Sequence, residues 1–480
     1  MKGKFKQFLG SIGHYFSDFG AAVVHGDWSV KLSLVFMGAG YIRRRKYLYG
    51  VFLLAIEVFF ILLAATFIAP NLAKFGTLGT VKAEMHFDDV LFTNVWNDFD
   101  NSFKILLYSI ISLVAILIFA LIWISSIKGA YSLQKMDEQG EKPPTIRDDI
   151  SSAMNEKYYK TLLAVPVGGI VLFTIIPLIV MICIAFTSYD EQHMPPAALF
   201  TWVGWANFKQ LFTTSLTSTF GYSFGKILRW TLVWAVLATF TNYFGGIMLA
   251  MLINNKRTRW KKMWRTCFII AMAVPQFVTL LLVRNFFADQ GIVNTICSNI
   301  GLTSLLKKIG LVPAYLNYIP FLTNPNWAKF MIIMINIWVG VPYLLLIATG
   351  ILMNIPQDLY EAATIDGANS FQQFRKITMP YMLFVTGPYL INSVVQNINN
   401  FNVIYLLTNN VFETSDQLLA NSHARETDLL VTWLFRLTNE YYNYKMASVI
   451  GIMVFVVCTV ITLVAFNFVI RGNKEEGMQL

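Results

Sequence analysis

The chain has 480 residues, of which 56% are hydrophobic and only 13% are charged, and its net charge is +10. A soluble domain is roughly a quarter charged, so this composition excludes an ordinary water-soluble enzyme. An excess of basic residues can indicate nucleic-acid binding, but basic residues also flank membrane spans on the cytoplasmic side. We therefore expect an all-α, polytopic membrane protein that binds no nucleic acid.

Eight segments are apolar and long enough to cross a bilayer core of about 30 Å, which takes roughly 20 helical residues. The predicted spans are residues 49–70, 103–124, 161–186, 227–253, 266–287, 328–353, 381–407 and 447–470. The first lies behind 48 residues with many charges, so it is not a cleavable signal peptide. The seventh has the weakest hydropathy of the eight.

Lysine and arginine are distributed unevenly between the loops that join these spans. With the N-terminus inside, 24 of the 37 basic residues fall on the cytoplasmic side, as the positive-inside rule requires. The basic clusters at residues 43–46 and 256–262 contribute most of this bias. We therefore expect both termini to be cytoplasmic.

Two features near the N-terminus have more than one interpretation. Residues 28–42 mix apolar side chains with Trp28 and Lys31, which is typical of an interfacial helix on the inner leaflet or of a short helix packed on the bundle. Glu57, in the first span, could mark an ion site. Because no second buried charge accompanies it, we favour a hydrogen bond within the bundle.

Catalytic and metal-binding motifs are missing from the sequence. It contains no GxxxxGK[ST] phosphate-binding loop, no HExxH and no GxSxG. The four cysteines lie far apart and form no CxxC or Cys/His cluster, so neither a disulfide scaffold nor a zinc site is expected. We predict no catalytic residue, metal or cofactor in this chain. If the protein moves a solute uphill, the energy must come from a partner or an ion gradient.

The predicted cytoplasmic loop between the sixth and seventh spans reads NIPQDLYEAATIDGANSFQQFRKITMP, residues 354–380. Pro356 suits the first position of a helix, and Gly367 can adopt the left-handed conformation that ends it. Ser370 and Gln373 together predict a capping box for a second helix. Such a loop could simply be well capped and contact no other protein. Alternatively, its small residues would let the surface of a partner approach closely.

The same loop matches the pattern EAA-x3-G-x9-I-x-L-P and departs from it only at Met379, where leucine is usual. The matching residues are Glu361, Ala362, Ala363, Gly367, Ile377 and Pro380. In this pattern the chain resembles binding-protein-dependent ABC importer permeases. The resemblance implies a type I ABC importer permease fold. It also implies a coupling helix that docks on a separate ATPase subunit, where ATP and Mg would bind.

The seventh span is rich in carboxamides, which are costly in hydrocarbon unless each finds a partner or lines a wet cavity. The residues spaced so that they share one helix face are Tyr389, Ser393, Gln396, Asn397 and Asn400. Uncharged amides pair with sugar hydroxyls, and aromatic rings stack on the apolar faces of sugars. The pattern predicts a cavity for a neutral polyol, and the alternative is hydrogen bonding between packed spans.

Two stretches resemble the sugar-contacting spans of MalF-type maltose/maltodextrin permeases: residues 338–343, WVGVPY, and residues 393–401. The substrate-binding residues that this resemblance implies are Gly340, Tyr343, Ser393, Asn397 and Asn400. The helical spacing adds Gln396.

The resemblance covers most of residues 28–470 and implies a domain organisation. The parts are a cytoplasmic N-terminus with an interfacial helix (1–48), two additional spans with a linker (49–160), a six-helix permease core (161–470) and a cytoplasmic tail (471–480). The loop 187–226 is too short for the large domain of the enterobacterial maltose subunit. The loop 408–446 contains DLLVTWLFRLT, whose apolar spacing predicts an amphipathic helix on the outer face.

We therefore expect the permease subunit of an ATP-driven oligosaccharide importer, for maltose/maltodextrin, in a bacterial plasma membrane. The expected partners are an extracellular sugar-binding protein, a second related permease of the MalG type, two ATP-binding subunits and membrane lipid. Importers of raffinose-type sugars, trehalose or glycerol phosphate share the loop and stay open as alternatives. An ion-coupled secondary transporter is a less favoured alternative, because it would need paired buried carboxylates or a repeat and the sequence shows neither. A polytopic enzyme would need acidic or histidine clusters, and the sequence shows none.

Overall fold

The computed structural model describes residues 17–89, 92–156, 158–213, 219–255, 257–409, 411 and 414–476. The chain divides into two units, Met1–Gly204 and Trp205–Leu480. Helices dominate both, and among the described residues the only named strands form a short hairpin in the first unit. Six helices in the described ranges are long and apolar enough to cross a membrane. The all-α, polytopic fold that the composition predicts is therefore confirmed.

The first unit contains three of the six long helices. Its helices include α1 (Trp28–Leu32), α2 (Ala39–Arg43), α3 (Tyr47–Leu63), α4 (Ala69–Phe75), α5 (Ser102–Glu138), α6 (Ile146–Met154), α7 (Tyr158–Ile170) and α8 (Ile176–Ile184). The π-helical turns Ala64–Ile68 and Val171–Ile175 join α3 to α4 and α7 to α8. Strands β1 (Met85–Asp88) and β2 (Thr93–Trp96) pair antiparallel, and the sequence did not predict them.

The N-terminal segment with two interpretations forms α1 and α2, which contact α5. Val30 and Met37 are buried in one core with Ile127 and Ala130. The backbone amide of Met37 donates a hydrogen bond to the Glu57 carboxylate at 2.7 Å. These contacts agree with a helix packed on the bundle and with a hydrogen-bonded Glu57. The position of this segment at a membrane leaflet stays a prediction.

The second unit contains the other three long helices and several short ones. Its helices are α9 (Ala206–Phe212), α10 (Phe220–Asn254), α11 (Lys261–Ala273), α12 (Gln276–Phe286), α13 (Ile292–Asn299), α14 (Leu302–Lys308), α15 (Pro325–Leu352), α16 (Gln357–Ile365), α17 (Ser370–Gln373), α18 (Met379–Ile398), α19 (Phe401–Thr408), α20 (Gln417–Asn421), α21 (Leu430–Asn439) and α22 (Tyr444–Glu476). A π-helical turn, Phe374–Thr378, joins α17 to α18.

Two predicted spans are interrupted in the structure. The segment 266–287 divides into α11 and α12 because Val274 and Pro275 adopt extended backbone, and proline lacks the N–H that a continuing helix needs. The segment 381–407 divides into α18 and α19 at Asn399 and Asn400. The expectation of uninterrupted helices is wrong at these two places. Irregular backbone at membrane depth is tolerated where it is buried in protein or lines a wet cavity, so both interruptions point to a cavity.

The second unit is built around α10 and α15, which pack along each other. Trp234 of α10 is buried in one hydrophobic core with Leu280 of α12 and Ile332 of α15. Further along α10, Tyr243 lies in a second core with Met382 of α18. Burial of these apolar side chains fixes the helices that surround the site.

The segment between α19 and α22 contains the helix that its apolar spacing predicts. This helix, α21, begins at Leu430 and buries Trp433 completely. It also carries one half of a buried ion pair: Arg436 donates to the Asp428 carboxylate at 2.5 Å, and the two side chains are 4% and 3% exposed. The helix is confirmed, whereas the sequence did not predict the ion pair that connects it to the preceding loop.

Candidate functional site

One cavity of about 360 Å³ in the second unit is lined mainly by polar, uncharged side chains. All six residues predicted to bind substrate line it: Gly340, Tyr343, Ser393, Gln396, Asn397 and Asn400. The other lining residues are Asn242, Gln276, Leu344, Tyr389, Asn399, Phe401 and Asn402. The cavity therefore lies beside both interrupted helices, because Gln276 begins α12 and Asn399 with Asn400 separates α18 from α19.

Helix α18 presents a polar side to this cavity. Pro380 stands in its first turn, directly after the π-helical turn Phe374–Thr378, and it lacks the N–H that an uninterrupted α-helix would use there. Four residues expected to share one helix face do so, since all line the cavity from α18: Tyr389, Ser393, Gln396 and Asn397. The expectation is wrong for Asn400, because α18 ends at Ile398. Asn400 reaches the cavity from the junction instead.

Asn397 joins the cavity wall to α10. Its side-chain nitrogen donates to the Thr239 hydroxyl at 2.9 Å, and its backbone carbonyl accepts from the Trp234 indole at 3.0 Å. Hydrogen bonding between packed helices, the alternative interpretation of the amides, therefore describes part of what this residue does. The same residue lines the cavity, so the two interpretations are compatible at Asn397.

Asn400 caps the helix that follows the junction. Its side-chain oxygen accepts from the Val403 amide at 3.2 Å, and its side-chain nitrogen donates to the Asn397 side-chain oxygen at 3.4 Å. Asparagine is a preferred N-cap because its side chain satisfies an amide at the start of a helix that lacks a helical partner. The carboxamides at the junction are thus fixed in position by α19 and by each other.

Gly340 and Asn242 are in close contact where α15 meets α10. A Cβ atom built on Gly340 would overlap the carboxamide of Asn242. Neither Asn242 nor Gln276 was predicted as a site residue. Asn242 is a carboxamide inside the predicted span 227–253 and could have been found from its cost in hydrocarbon. Gln276 follows Pro275 inside another predicted span and could have been found from that interruption.

The lining suits an uncharged, hydroxyl-rich molecule. No lysine, arginine, aspartate or glutamate is among the residues that line the cavity in the described part of the chain. Carboxamides offer both donors and acceptors, and the rings of Tyr343, Tyr389 and Phe401 offer apolar faces. Within the described ranges, no three His, Cys, Asp or Glu side chains come together as a metal site would require.

The EAA-containing segment, residues 354–380, lies between α15 and α18. Its first helix, α16, has Pro356 as the N-cap and not at the first helical position. Gly367 follows the end of this helix with φ +77°, and a Cβ there would meet no atom within 4 Å. The predicted left-handed termination is confirmed. Because the space around Gly367 is open, the glycine is required by backbone conformation and not by close packing.

The second helix of this segment begins one residue before the predicted position. Asn369 is the N-cap: its side chain accepts from the Gln372 amide, and the Gln372 side chain accepts from the Asn369 amide, both at 2.8 Å. The predicted box of Ser370 and Gln373 is therefore wrong. The Gln373 side chain instead donates to the Thr364 hydroxyl at 2.9 Å, which connects α17 to α16.

The segment presents an apolar and largely exposed surface. Ile365 and Phe371 expose 86% and 69% of their surface, and such apolar exposure is typical of an interaction site. Four of the predicted coupling residues are exposed and two are half-buried: Glu361, Ala362, Gly367 and Pro380 in the first group, and Ala363 and Ile377 in the second.

The cavity and the EAA-containing segment both lie in the part of the chain that matches a known protein family. Residues 242–473, which include the cavity and the EAA-containing segment, match the family of the binding-protein-dependent transport system inner membrane component. The chain is 33% identical over 442 residues to the maltodextrin transport system permease protein MalC of Streptococcus pneumoniae, covering 92% of this chain and 95% of that protein.

Two further similarities involve proteins with other cargo. The chain is 32% identical over 400 residues to the galactooligosaccharides transport system permease protein GanP of Bacillus subtilis, covering 82% of this chain and 90% of that protein. Among solved structures, it is similar to a bacterial ABC transporter involved in the import of the acidic polysaccharide alginate. That similarity has a TM-score of 0.50 and 25% identity, and it covers 68% of this chain and 99% of the other.

Proposed function

The chain belongs to the binding-protein-dependent transport system inner membrane components, and we propose that it is the permease subunit of an ATP-driven importer of oligosaccharides, with maltodextrins as its cargo. It is a multi-pass membrane protein of an ABC importer, as its sequence pattern predicts. The observation that carries the proposal is the cavity that all six predicted substrate residues line, with no charged side chain among its described lining residues.

The cargo is argued from the chemistry of the lining together with the relatives. Carboxamides and aromatic rings suit hydroxyl groups and sugar faces, and two relatives are a maltodextrin permease and a galactooligosaccharide permease. Raffinose-type sugars and trehalose are neutral and stay as alternatives. Glycerol phosphate is less suited, because a phosphate is normally held by arginine or lysine and the described lining contains neither.

The energy would reach this cavity from outside the chain. We propose that the segment 354–380 is a coupling segment that docks on one of two ATP-binding subunits, which would bind and hydrolyse ATP with Mg. The exposed Ile365 and Phe371 supply an apolar docking surface on it. A second related permease, of the MalG type, would complete the pathway, an extracellular binding protein would deliver the sugar, and both termini would lie in the cytoplasm.

Uptake by the complete complex, reconstituted in proteoliposomes, tests this proposal. Labelled maltotriose should accumulate only when ATP, Mg²⁺ and the binding protein are supplied. Glu361→Ala should lower the uptake at least tenfold and leave co-purification of the other permease unchanged. Uptake without ATP, or unchanged uptake by Glu361→Ala, would contradict the coupling role.

Competition experiments identify the cargo. Unlabelled maltodextrins should inhibit the uptake at lower concentrations than galactooligosaccharide, raffinose or trehalose, and glycerol phosphate should not inhibit it. Stronger inhibition by any of the other sugars would assign that sugar as the cargo in place of maltodextrin. Inhibition by glycerol phosphate alone would overturn the assignment to a neutral sugar.

A further inference from the structure

Polar side chains on α10 form a series of contacts with α18. The Trp234 indole donates to the Asn397 backbone carbonyl at 3.0 Å, and the Thr239 hydroxyl accepts from the Asn397 side chain at 2.9 Å. One turn further along, the hydroxyls of Tyr243 and Thr386 are hydrogen-bonded at 2.8 Å. Each of these α10 side chains therefore has a partner on the facing helix.

Asn242 differs from the polar residues around it on α10. It lines the cavity, yet its buried side-chain oxygen accepts no hydrogen bond from any described residue. Buried polar atoms in proteins nearly always have a partner, and an exception requires an explanation. Because Asn242 lines the cavity, one explanation can be tested directly, which is that the transported ligand supplies the missing partner.

Gly340 determines whether the Asn242 carboxamide can occupy this place. A Cβ atom on Gly340 would overlap the nitrogen and the carbon of that carboxamide. Any other residue at position 340 would therefore push Asn242 out of its present position. In the WVGVPY stretch, Gly340 thus leaves space beside the cavity, and the Asn242 side chain of α10 occupies this space.

We propose that the Asn242 carboxamide hydrogen-bonds a hydroxyl of the transported sugar, and that Gly340 acts in the site by admitting this carboxamide. The proposal rests on the proposed sugar-import function and adds a specificity-determining residue to the same cavity. A site that hydrogen-bonds a hydroxyl discriminates against analogues that lack it, because its own polar group is then left unpaired.

The first experiment measures uptake kinetics in the reconstituted complex. Asn242→Ala should raise the KM for maltotriose about three- to tenfold, the effect of one hydrogen bond, with a maximal rate within about twofold of wild type. Thr241→Ala is the matched control, because the Thr241 hydroxyl donates only to the Leu237 carbonyl of its own helix. Its KM should not change. An unchanged KM in Asn242→Ala would overturn the proposal.

Sugar analogues test the contact directly. Among monodeoxy maltose analogues, the one that lacks the contacting hydroxyl should inhibit maltotriose uptake by the wild type only weakly. The Asn242→Ala change should not weaken its inhibition further. Asn242→Leu keeps a branched side chain against Gly340 and should behave like Asn242→Ala. It can replace Asn242→Ala in the assay if the alanine variant assembles poorly. If every analogue loses the same factor in the variant as in the wild type, no hydroxyl meets Asn242 and the proposal is wrong.

A double variant tests the role of Gly340. Gly340→Ala should raise the KM as Asn242→Ala does, and the two changes combined should raise it no further, because both remove the same contact. Full additivity would show that Gly340 acts independently of Asn242. A wild-type complex that imports no sugar would overturn the proposed function itself, whereas normal wild-type import with an unaffected Asn242→Ala would overturn only the inference.

Discussion

The side-chain nitrogen of Asn397 lies 2.9 Å from the Thr239 hydroxyl, so a residue of the cavity wall also holds two helices together. We expect Asn397→Ala to reduce transport for two reasons, a missing sugar contact and a weaker contact between α10 and α18. A variant of Thr239 separates them, because this residue does not line the cavity.

Thr239→Val removes the hydroxyl and keeps the shape of the side chain. We expect it to destabilise the complex by about 0.6 kcal/mol, the average for such bonds between membrane helices, with little change in KM. Asn397→Ala should destabilise the complex to a similar extent and raise the KM at least tenfold. Thermal unfolding in nanodiscs and uptake kinetics measure the two effects. Equal KM values for the two variants would show that Asn397 has only the packing role.

Asn400 combines a helix cap with a position in the cavity wall. Asn400→Ala should cost about 1 kcal/mol of stability through the lost cap and should abolish transport. Asn400→Asp still provides an oxygen for the Val403 amide, so it should restore stability but not transport, since the donor half of the carboxamide is gone. Thermal unfolding and uptake assays distinguish the two roles. Normal transport by Asn400→Asp would show that Asn400 acts only as a helix cap and does not contact the sugar.

Gly367 and Gly310 form a matched pair. Both follow the end of a helix, with φ of +77° and +75° respectively, and a Cβ built at either position would meet no atom within 4 Å. Alanine at either position should cost about 1 kcal/mol of backbone strain. We expect Gly367→Ala to reduce ATP-driven uptake several-fold and Gly310→Ala to leave it unchanged. Equal uptake by both variants would contradict the coupling role of the segment 354–380.

The buried pair of Asp428 and Arg436 predicts that changing one partner alone destabilises the complex more than changing both. Asp428→Asn alone removes the closer of the two carboxylates that pair with the Arg436 guanidinium and leaves only Glu440, at 3.6 Å. It should destabilise the complex by about 3 kcal/mol. Asp428→Asn combined with Arg436→Met should recover most of this loss, because asparagine still accepts from Thr432 and the charge is gone. The yield of assembled complex and its thermal unfolding measure both. A double variant as unstable as Asp428→Asn would contradict this explanation.

Local signals account for what the sequence could predict. Hydropathy gives the spans, and the spacing of the amides brings Tyr389, Ser393 and Asn397 to one side of a helix. The start of α17 is ambiguous at this level, because Asn369 and Ser370 are both good N-caps and each is followed three residues later by glutamine. Only the folded chain decides between the two registers.

Contacts between helices account for what the sequence could not predict. Asn242 enters the cavity because α10 and α15 cross where residue 340 has no side chain, and 98 residues separate the two positions. The pairing of Asp428 with Arg436 likewise depends on how α21 folds back on its loop. Strands β1 and β2 have four residues each, the minimum length for an alternating pattern. Met85–Asp88 alternates apolar and polar residues, whereas Thr93–Trp96 does not, so the sequence gives no matched pair of strands.

The helical backbone is continuous from Ser370 to Ile398, through the π-helical turn. At 1.5 Å per residue this rod is about 43 Å long, with the segment 354–380 at one end and the cavity carboxamides at the other. On the proposed function, thermodynamic linkage makes its effect reciprocal. If engagement of the ATPase at the Ser370 end changes the affinity for sugar by some factor, sugar beside Asn397 must change the affinity for the ATPase by the same factor. The cargo is then also an effector of the machinery that moves it.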